Sequence, residues 1–125
     1  MKKVAVMLLC LLIGGCAVQN KLGYKQITQQ QAMEIMESET GYIILDVRRP
    51  DEFAEGHIPD AICLPNEEIG TVEPEQLPDK QQLILVYCRS GNRSKQAAEK
   101  LASMGYESIM EFGGIITWPG EITKD

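Results

Sequence analysis

The sequence predicts an α/β fold with a mainly parallel sheet and helices on both faces. Short strand-like runs alternate along the chain with segments of helical periodicity. Two of these runs, Tyr42–Leu45 and Leu83–Tyr87, are apolar without interruption, as strands buried on both faces are. Breakers such as Gly41, Pro50, Gly56, Pro65 and Gly105 stand between the runs. The 125 residues allow one small domain with a real core.

The chain begins with a targeting pattern. Met1-Lys-Lys is positive, Val4–Ile13 is apolar, and Gly14-Gly15 offers a small-residue cleavage site. The apolar run is about half the roughly 20 residues needed to span a bilayer, which argues against a membrane helix. Residues 1–15 are therefore expected to be a signal peptide and 16–23 a tether before a domain over 24–122. Without Lys2 and Lys3 the balance is 10 basic to 18 acidic residues. That surplus would be repelled by nucleic acid and is accounted for by solubility.

Within the domain, Tyr24–Ile27 suits a short first strand. Thr28 with Gln31 fits a capping box, and Ala32, Met33, Ile35 and Met36 recur at helical spacing, so a helix runs from Gln29 to about Ser38. Tyr42–Leu45 is a buried strand delivering Asp46 and Arg48 at its end. Pro50–Glu55, with proline and acids in its first turn, suits a short helix. Ala61–Leu64 is a candidate short strand and Asn66–Ile69 a helical turn. Gly70–Gln82, with two prolines and several charges, reads as a surface connection. Leu83–Tyr87 is the next strand, and Lys95–Met104 a helix with Ala97, Ala98, Leu101 and Ala102 on its apolar face. Ser108–Phe112 is the last strand, and Gly113-Gly114 leads into Ile115–Trp118.

The chemistry concentrates at Cys88-Arg-Ser-Gly-Asn-Arg-Ser94. A buried strand delivers Cys88 to a short polar loop at a helix N-terminus, where backbone N–H groups and the helix dipole favour an anion. Arg89 and Arg93 add positive charge, so the setting favours a nucleophilic thiolate. The competing reading is a small apolar core residue, which free cysteine often is.

Leu45-Asp-Val-Arg48, Glu52-Phe53, Gly56-His-Ile-Pro59 with Ala61 and Leu64-Pro65, the Cys88–Ser94 segment, and Gly113-Gly114 with Trp118 together resemble the pattern of rhodanese-homology domains. The match in order and spacing extends over about Tyr24 to Ile122. Asp60 stands where that family commonly has glycine, and aspartate tolerates a positive φ better than most residues. The resemblance implies a five-stranded sheet and sulfur transfer through a persulfide on Cys88, with no cofactor. A small sulfane-sulfur donor such as thiosulfate would load Cys88, and a thiol or cyanide would unload it. The backbone of Arg89, Ser90, Gly91, Asn92 and Arg93 would line the cradle, with Asp46, Arg48, Ser94 and Trp118 in support. Similar folds that act on phosphate or arsenate use Cys-x5-Arg loops, whereas this chain has the shorter Cys-x4-Arg.

Leu12-Ile-Gly-Gly-Cys16 likewise resembles a bacterial lipobox, which implies cleavage before Cys16 and lipid on its sulfur. The domain would then be exported and membrane-anchored, on the periplasmic or cell-surface side. The alternative is a soluble secreted or periplasmic protein cut after Ala17. A redox or sulfur-relay protein partner would suit an exposed thiolate in an oxidising compartment. A non-enzymatic persulfide carrier or tethered binding module is the rival reading from another class.

The remaining candidates have plainer roles. His57, the only histidine, is expected to fix a turn by hydrogen bonding. Cys63 lies in a β-type run and is expected in the core, with a pairing to Cys88 as the lesser alternative. No cysteine and histidine spacing suits zinc. Asn92-Arg-Ser94 matches a glycosylation sequon by chance. Arg93 has a possible brace in Asp46, and Trp118 is expected both in the core and on one wall of the pocket.

Overall fold

The computed structural model describes residues 23–125. The expected signal peptide, its cleavage point and the lipid site at Cys16 lie outside the described residues. Five strands form one sheet: β1 (Lys25–Gln26), β2 (Ile43–Asp46), β3 (Ile62–Cys63), β4 (Ile84–Cys88) and β5 (Ile109–Gly114). Their spatial order is β1-β5-β4-β2-β3 and every pairing is parallel. Three α-helices, α1 (Gln29–Ser38), α2 (Pro50–Glu55) and α3 (Asn92–Ser103), and two short 3-10 turns connect them.

Each face of the sheet has its own core. On one side α3 lays Ala97, Ala98 and Leu101 against Leu45, Val47, Ile84, Val86 and Ile109. On the other, Ala32 and Ile35 of α1 pack with Ile44, Leu85, Tyr87 and Phe112. Alternate residues of β4 therefore enter opposite cores, and all five are buried. This is why Leu83–Tyr87 reads as an unbroken apolar run: neither face of this central strand meets water.

The α1 N-terminus closes as its sequence predicts. Gln31 N–H donates to Thr28 Oγ1 at 3.0 Å, and Thr28 N–H donates to Gln31 Oε1 at 2.9 Å. Asp60 adopts φ 72°, the one positive φ outside glycine among the described residues.

The strands otherwise fall within a residue of expectation at each end, and two larger boundary differences shape the site. α3 begins at Asn92, not Lys95, because Gly91 turns the chain with φ 110° and lets Asn92, Arg93 and Ser94 form the first helical turn. β5 continues past Phe112 through both glycines, so that Gly114 pairs with Cys88. Val86 pairs with Glu111 and Cys88 with Gly114, which sets two intervening residues of β5 against one of β4. Such a bulge bends a strand and re-aims its side chains. Gly113 sits in it with φ 93°.

Candidate functional site

β4 ends at Cys88, and the next residues curl back over its sulfur. Gly91 N–H points at Cys88 Sγ from 3.0 Å, and Ser94 Oγ lies 3.4 Å from the same sulfur. The curl presses on the end of β5. A Cβ on Gly114 would collide with the backbone of Arg89 and Ser90, so only glycine fits beneath the loop. Ile116 N–H then donates to Arg89 C=O at 3.2 Å and ties the loop to the turn after β5.

Cys88 is 1% exposed and belongs to the α3-side core. It is packed like a core residue, and the loop curled over it points the Gly91 N–H at its sulfur. Arg89 and Ser90 are exposed above it, and Asn92 faces solvent from the first turn of α3.

The two loop arginines differ. Arg89 is exposed and makes no side-chain hydrogen bond among the described residues. Arg93 is clamped by Glu52 of α2, Nη1 to Oε1 at 2.7 Å and Nη2 to Oε2 at 3.1 Å. Its brace is therefore Glu52, and Asp46 is occupied elsewhere. Glu52 was part of the sequence pattern without an assigned role; three residues after Arg49, it faces Arg93 across the turn of α2. Hydrogen bonding from the Arg93 guanidinium first, and then the Arg49 N–H at 3.0 Å and the Arg93 charge, outweigh burial and hold the Glu52 carboxyl down at about 2. The folded value lies below the unfolded one, so the pair stabilises the fold above the ordinary carboxylate range and stops doing so as pH falls through about 2. A Glu52→Gln variant is expected to lose about 1–2 kcal/mol at neutral pH, a partly solvated bidentate pair being worth less than a buried one. In urea melts the gap from the parent should close between about pH 4.5 and about pH 2, and a pH-independent gap would refute the pairing.

Asp46 and Arg48 form a buried unit at the end of β2. Asp46 Oδ1 accepts from Arg48 N–H at 3.0 Å and Nε at 2.9 Å, while Oδ2 accepts from Arg48 Nη2 and from Tyr87 O–H, both at 2.7 Å. Arg48 Nη2 also donates to Gly56 C=O at 2.7 Å, and Ile58 N–H donates to Tyr87 Oη at 3.1 Å. Neither Asp46 nor Arg48 hydrogen-bonds the Cys88 loop among the described residues. Their brace reaches it through Tyr87, the residue before Cys88. Burial, and then the Asp46 charge, push the Tyr87 hydroxyl well above its usual range, so it stays a neutral donor.

Glu111 was not singled out in the sequence. It is 2% exposed on β5, and its Oε2 accepts Gly113 N–H at 2.9 Å, the amide that the bulge turns toward it. Ser94 Oγ stands 2.5 Å from the same oxygen and 3.0 Å from Gly91 C=O. A serine on the apolar side of α3 and an acid two residues from Ile109 on β5 were the visible signal: two polar residues on facing core positions.

The other candidates lie away from the sulfur. His57 stacks on Phe53 with ring centroids 3.7 Å apart, and its Nδ1 is 2.9 Å from Phe53 C=O. Its backbone exchanges two 2.8 Å hydrogen bonds with Thr123, so it fixes the turn after α2. Cys63 is on β3, with β2 between it and β4. Two strand spacings put it roughly 10 Å from Cys88, beyond the reach of a disulfide. Both cysteines are free, and burial pushes the Cys63 thiol up to about 11. Trp118 packs on Phe112, centroids 5.4 Å apart, and lines a groove with Met33, Met36, Tyr42 and Ile58 that does not include Cys88. It is a core residue and a groove wall, but the groove is on the α1 side. Among the described residues no three His, Cys, Asp or Glu side chains are grouped to hold a metal.

Comparison with known proteins agrees with this fold. Residues 28–118 match the family described as Rhodanese-like domain. A protein of Allochromatium vinosum named Sulfurtransferase is 42% identical over 77 residues, covering 61% of this chain and 70% of that one. Thiosulfate sulfurtransferase PspE of Escherichia coli is 37% identical over 71 residues, 57% of this chain and 68% of the relative. Among solved structures, the rhodanese-like domain of an Anabaena protein superposes with a TM-score of 0.72 at 28% identity, over 80% of this chain and 79% of that one. An E. coli rhodanese solved with anions gives 0.61 at 32% identity, over 67% and 99%.

Proposed function

The chain belongs to the rhodanese-like domain family, and on that premise we propose that it is a sulfurtransferase working through a persulfide on Cys88. The observation behind this is the loop itself: Gly91 N–H lies 3.0 Å from Cys88 Sγ, under a curl that leaves the sulfur 1% exposed. The short Cys-x4-Arg ring suits one added sulfur atom held against the loop amides.

The chemistry divides into two displacements. The Cys88 thiolate attacks the outer sulfur of a donor such as thiosulfate. The donor's S–S bond breaks, sulfite leaves with the electron pair, and Cys88 holds a terminal persulfide anion. Backbone N–H groups of the loop and the N-terminus of α3 offset that charge. An acceptor, cyanide or a thiol, then attacks the terminal sulfur, and the thiolate returns. Arg89 attracts the anionic donor, while Arg93, engaged by Glu52, fixes the shape of the curl.

From the signal-like pattern of residues 1–15 and the lipobox resemblance we further propose that the domain lies outside the cytoplasm, tethered by lipid on Cys16, with small sulfur donors and acceptors and a relay protein as its partners. The enzymatic reading is tested by steady-state turnover with thiosulfate and cyanide. Thiocyanate well beyond one equivalent per chain is the expected result. One equivalent followed by a stop would overturn catalysis in favour of a persulfide carrier.

A further inference from the structure

Before Cys88 can attack, its proton has to leave a site that is only 1% exposed. The Glu111 carboxylate lies within reach and is itself 2% exposed. Ser94 Oγ stands between the two, 3.4 Å from Cys88 Sγ and 2.5 Å from Glu111 Oε2. We propose that Glu111 takes the Cys88 proton through Ser94, so that the thiolate and the carboxylic acid form together. This rests on Cys88 being the nucleophile, but its test needs no sulfur transfer.

Proton bookkeeping follows from the distances. Ser94 has one hydroxyl proton, and 2.5 Å is the length of a hydroxyl hydrogen bond to an ionised carboxylate. With that proton aimed at Glu111, a Ser94 lone pair faces Cys88, whose S–H donates to it. In the transfer the S–H bond breaks as a new Ser94 O–H forms. The original Ser94 O–H breaks as Glu111 Oε2–H forms. Serine ends with one proton, the charge of the cluster is unchanged, and the thiolate accepts from Gly91 N–H.

Two anions flanking one buried hydroxyl would repel each other strongly, which couples loss of the thiol proton to its gain by Glu111. The surroundings give Glu111 neutral donors only: Gly113 N–H occupies one lone pair of Oε2 at 2.9 Å and leaves the other to Ser94. From β1, Gln26 Nε2 is 3.5 Å from Oε1 and Lys25 is paired in register with Met110. Tyr24 lies near; burial and then the charges of Glu99 on α3 and of Glu111 push its hydroxyl up. From α1, Gln29 reaches only Gly114 C=O, at 2.8 Å. From β4 and α3 the facing groups are Cys88 and Ser94, while Arg93 is held by Glu52. Among the described residues no lysine or arginine hydrogen-bonds Glu111. Glu111 is thus a positioning residue for the proton and does not touch the sulfur.

The test is the rate of Cys88 alkylation by iodoacetamide against pH, with peptide mapping to separate Cys88 from Cys63. A pair sharing one proton gives two rises with a plateau between them, over which the wild-type rate changes by less than about twofold. Glu111→Gln is expected to give one rise, falling ~tenfold per pH unit below its midpoint. A two-step profile surviving in folded Glu111→Gln, or a single step in the wild type, would overturn the proposal. A second reading avoids any doubt about folding of that variant. The carbon NMR resonance of the Glu111 carboxyl should titrate in two steps in the wild type and in one in Cys88→Ser. Identical titrations in the two proteins would equally overturn it.

Discussion

Cys88→Ser is expected to abolish thiocyanate formation from thiosulfate and cyanide while leaving the domain folded. A serine hydroxyl is far less acidic than a thiol and stays protonated even beside the Ser94–Glu111 relay, and an oxygen cannot carry the persulfide, so neither displacement can start. The fold tolerates the exchange because the new hydroxyl inherits the partners of the sulfur, Gly91 N–H and Ser94 Oγ. Burying it there costs on the order of 1 kcal/mol, visible in a urea melt but far from unfolding. Cys63→Ser is the matched control. Its thiol lies two strands away and is held protonated, pushed up to about 11, so its loss should leave turnover unchanged. Turnover persisting in Cys88→Ser, or lost in Cys63→Ser, would contradict the assignment.

The largest stability effect is expected at Arg48. The Arg48→Ala change removes three side-chain hydrogen bonds to Asp46 and one to Gly56 C=O. Asp46, 0% exposed, would keep only the Tyr87 hydroxyl and the Arg48 amide against its charge. Stranding a buried carboxylate in this way costs about 3–5 kcal/mol. Domains of this size have only about 5–15 kcal/mol in total, so the variant should be marginal. Replacing both partners, as Asp46→Asn with Arg48→Met, should recover part of the loss, because no uncompensated charge then remains. Urea midpoints of the single and double variants decide it: a double variant no more stable than Arg48→Ala would contradict the charge argument.

The fold was legible because its signals are local. Unbroken apolar runs marked β2 and β4, the Thr28–Gln31 box marked the start of α1, and Pro50 marked α2. Cys88 was legible from the strand, loop and helix that meet at it. What escaped notice depends on contacts between segments far apart in sequence. Glu52 reaches Arg93 across 41 residues, and Tyr87 reaches Asp46 across the same interval. No periodicity announces such pairs. The bulge in β5 is similar: two glycines read as a break after Phe112, yet Gly114 pairs with Cys88 and is the floor on which the loop rests. Without that register, Glu111 looks like an ordinary strand acid. With it, Glu111 lies under Ser94 in the α3-side core.

The polar network on β2 also changes what the loop depends on. Its geometry is held from below by Gly114 and from the side by Glu52, and Asp46 and Arg48 support it at one remove through Tyr87. The closed curl also bears on the proposed exported location. A thiol only 1% exposed is shielded from large oxidants and foreign thiols, so the hazard expected of an exposed thiolate is smaller here.

The most direct measurement is the mass of the protein and of its cysteine peptides after thiosulfate is added without acceptor. One added sulfur on the peptide containing Cys88 is predicted, lost again on adding cyanide with an equal yield of thiocyanate. No added sulfur from thiosulfate or any other sulfane donor, or sulfur found on Cys63, would contradict the account.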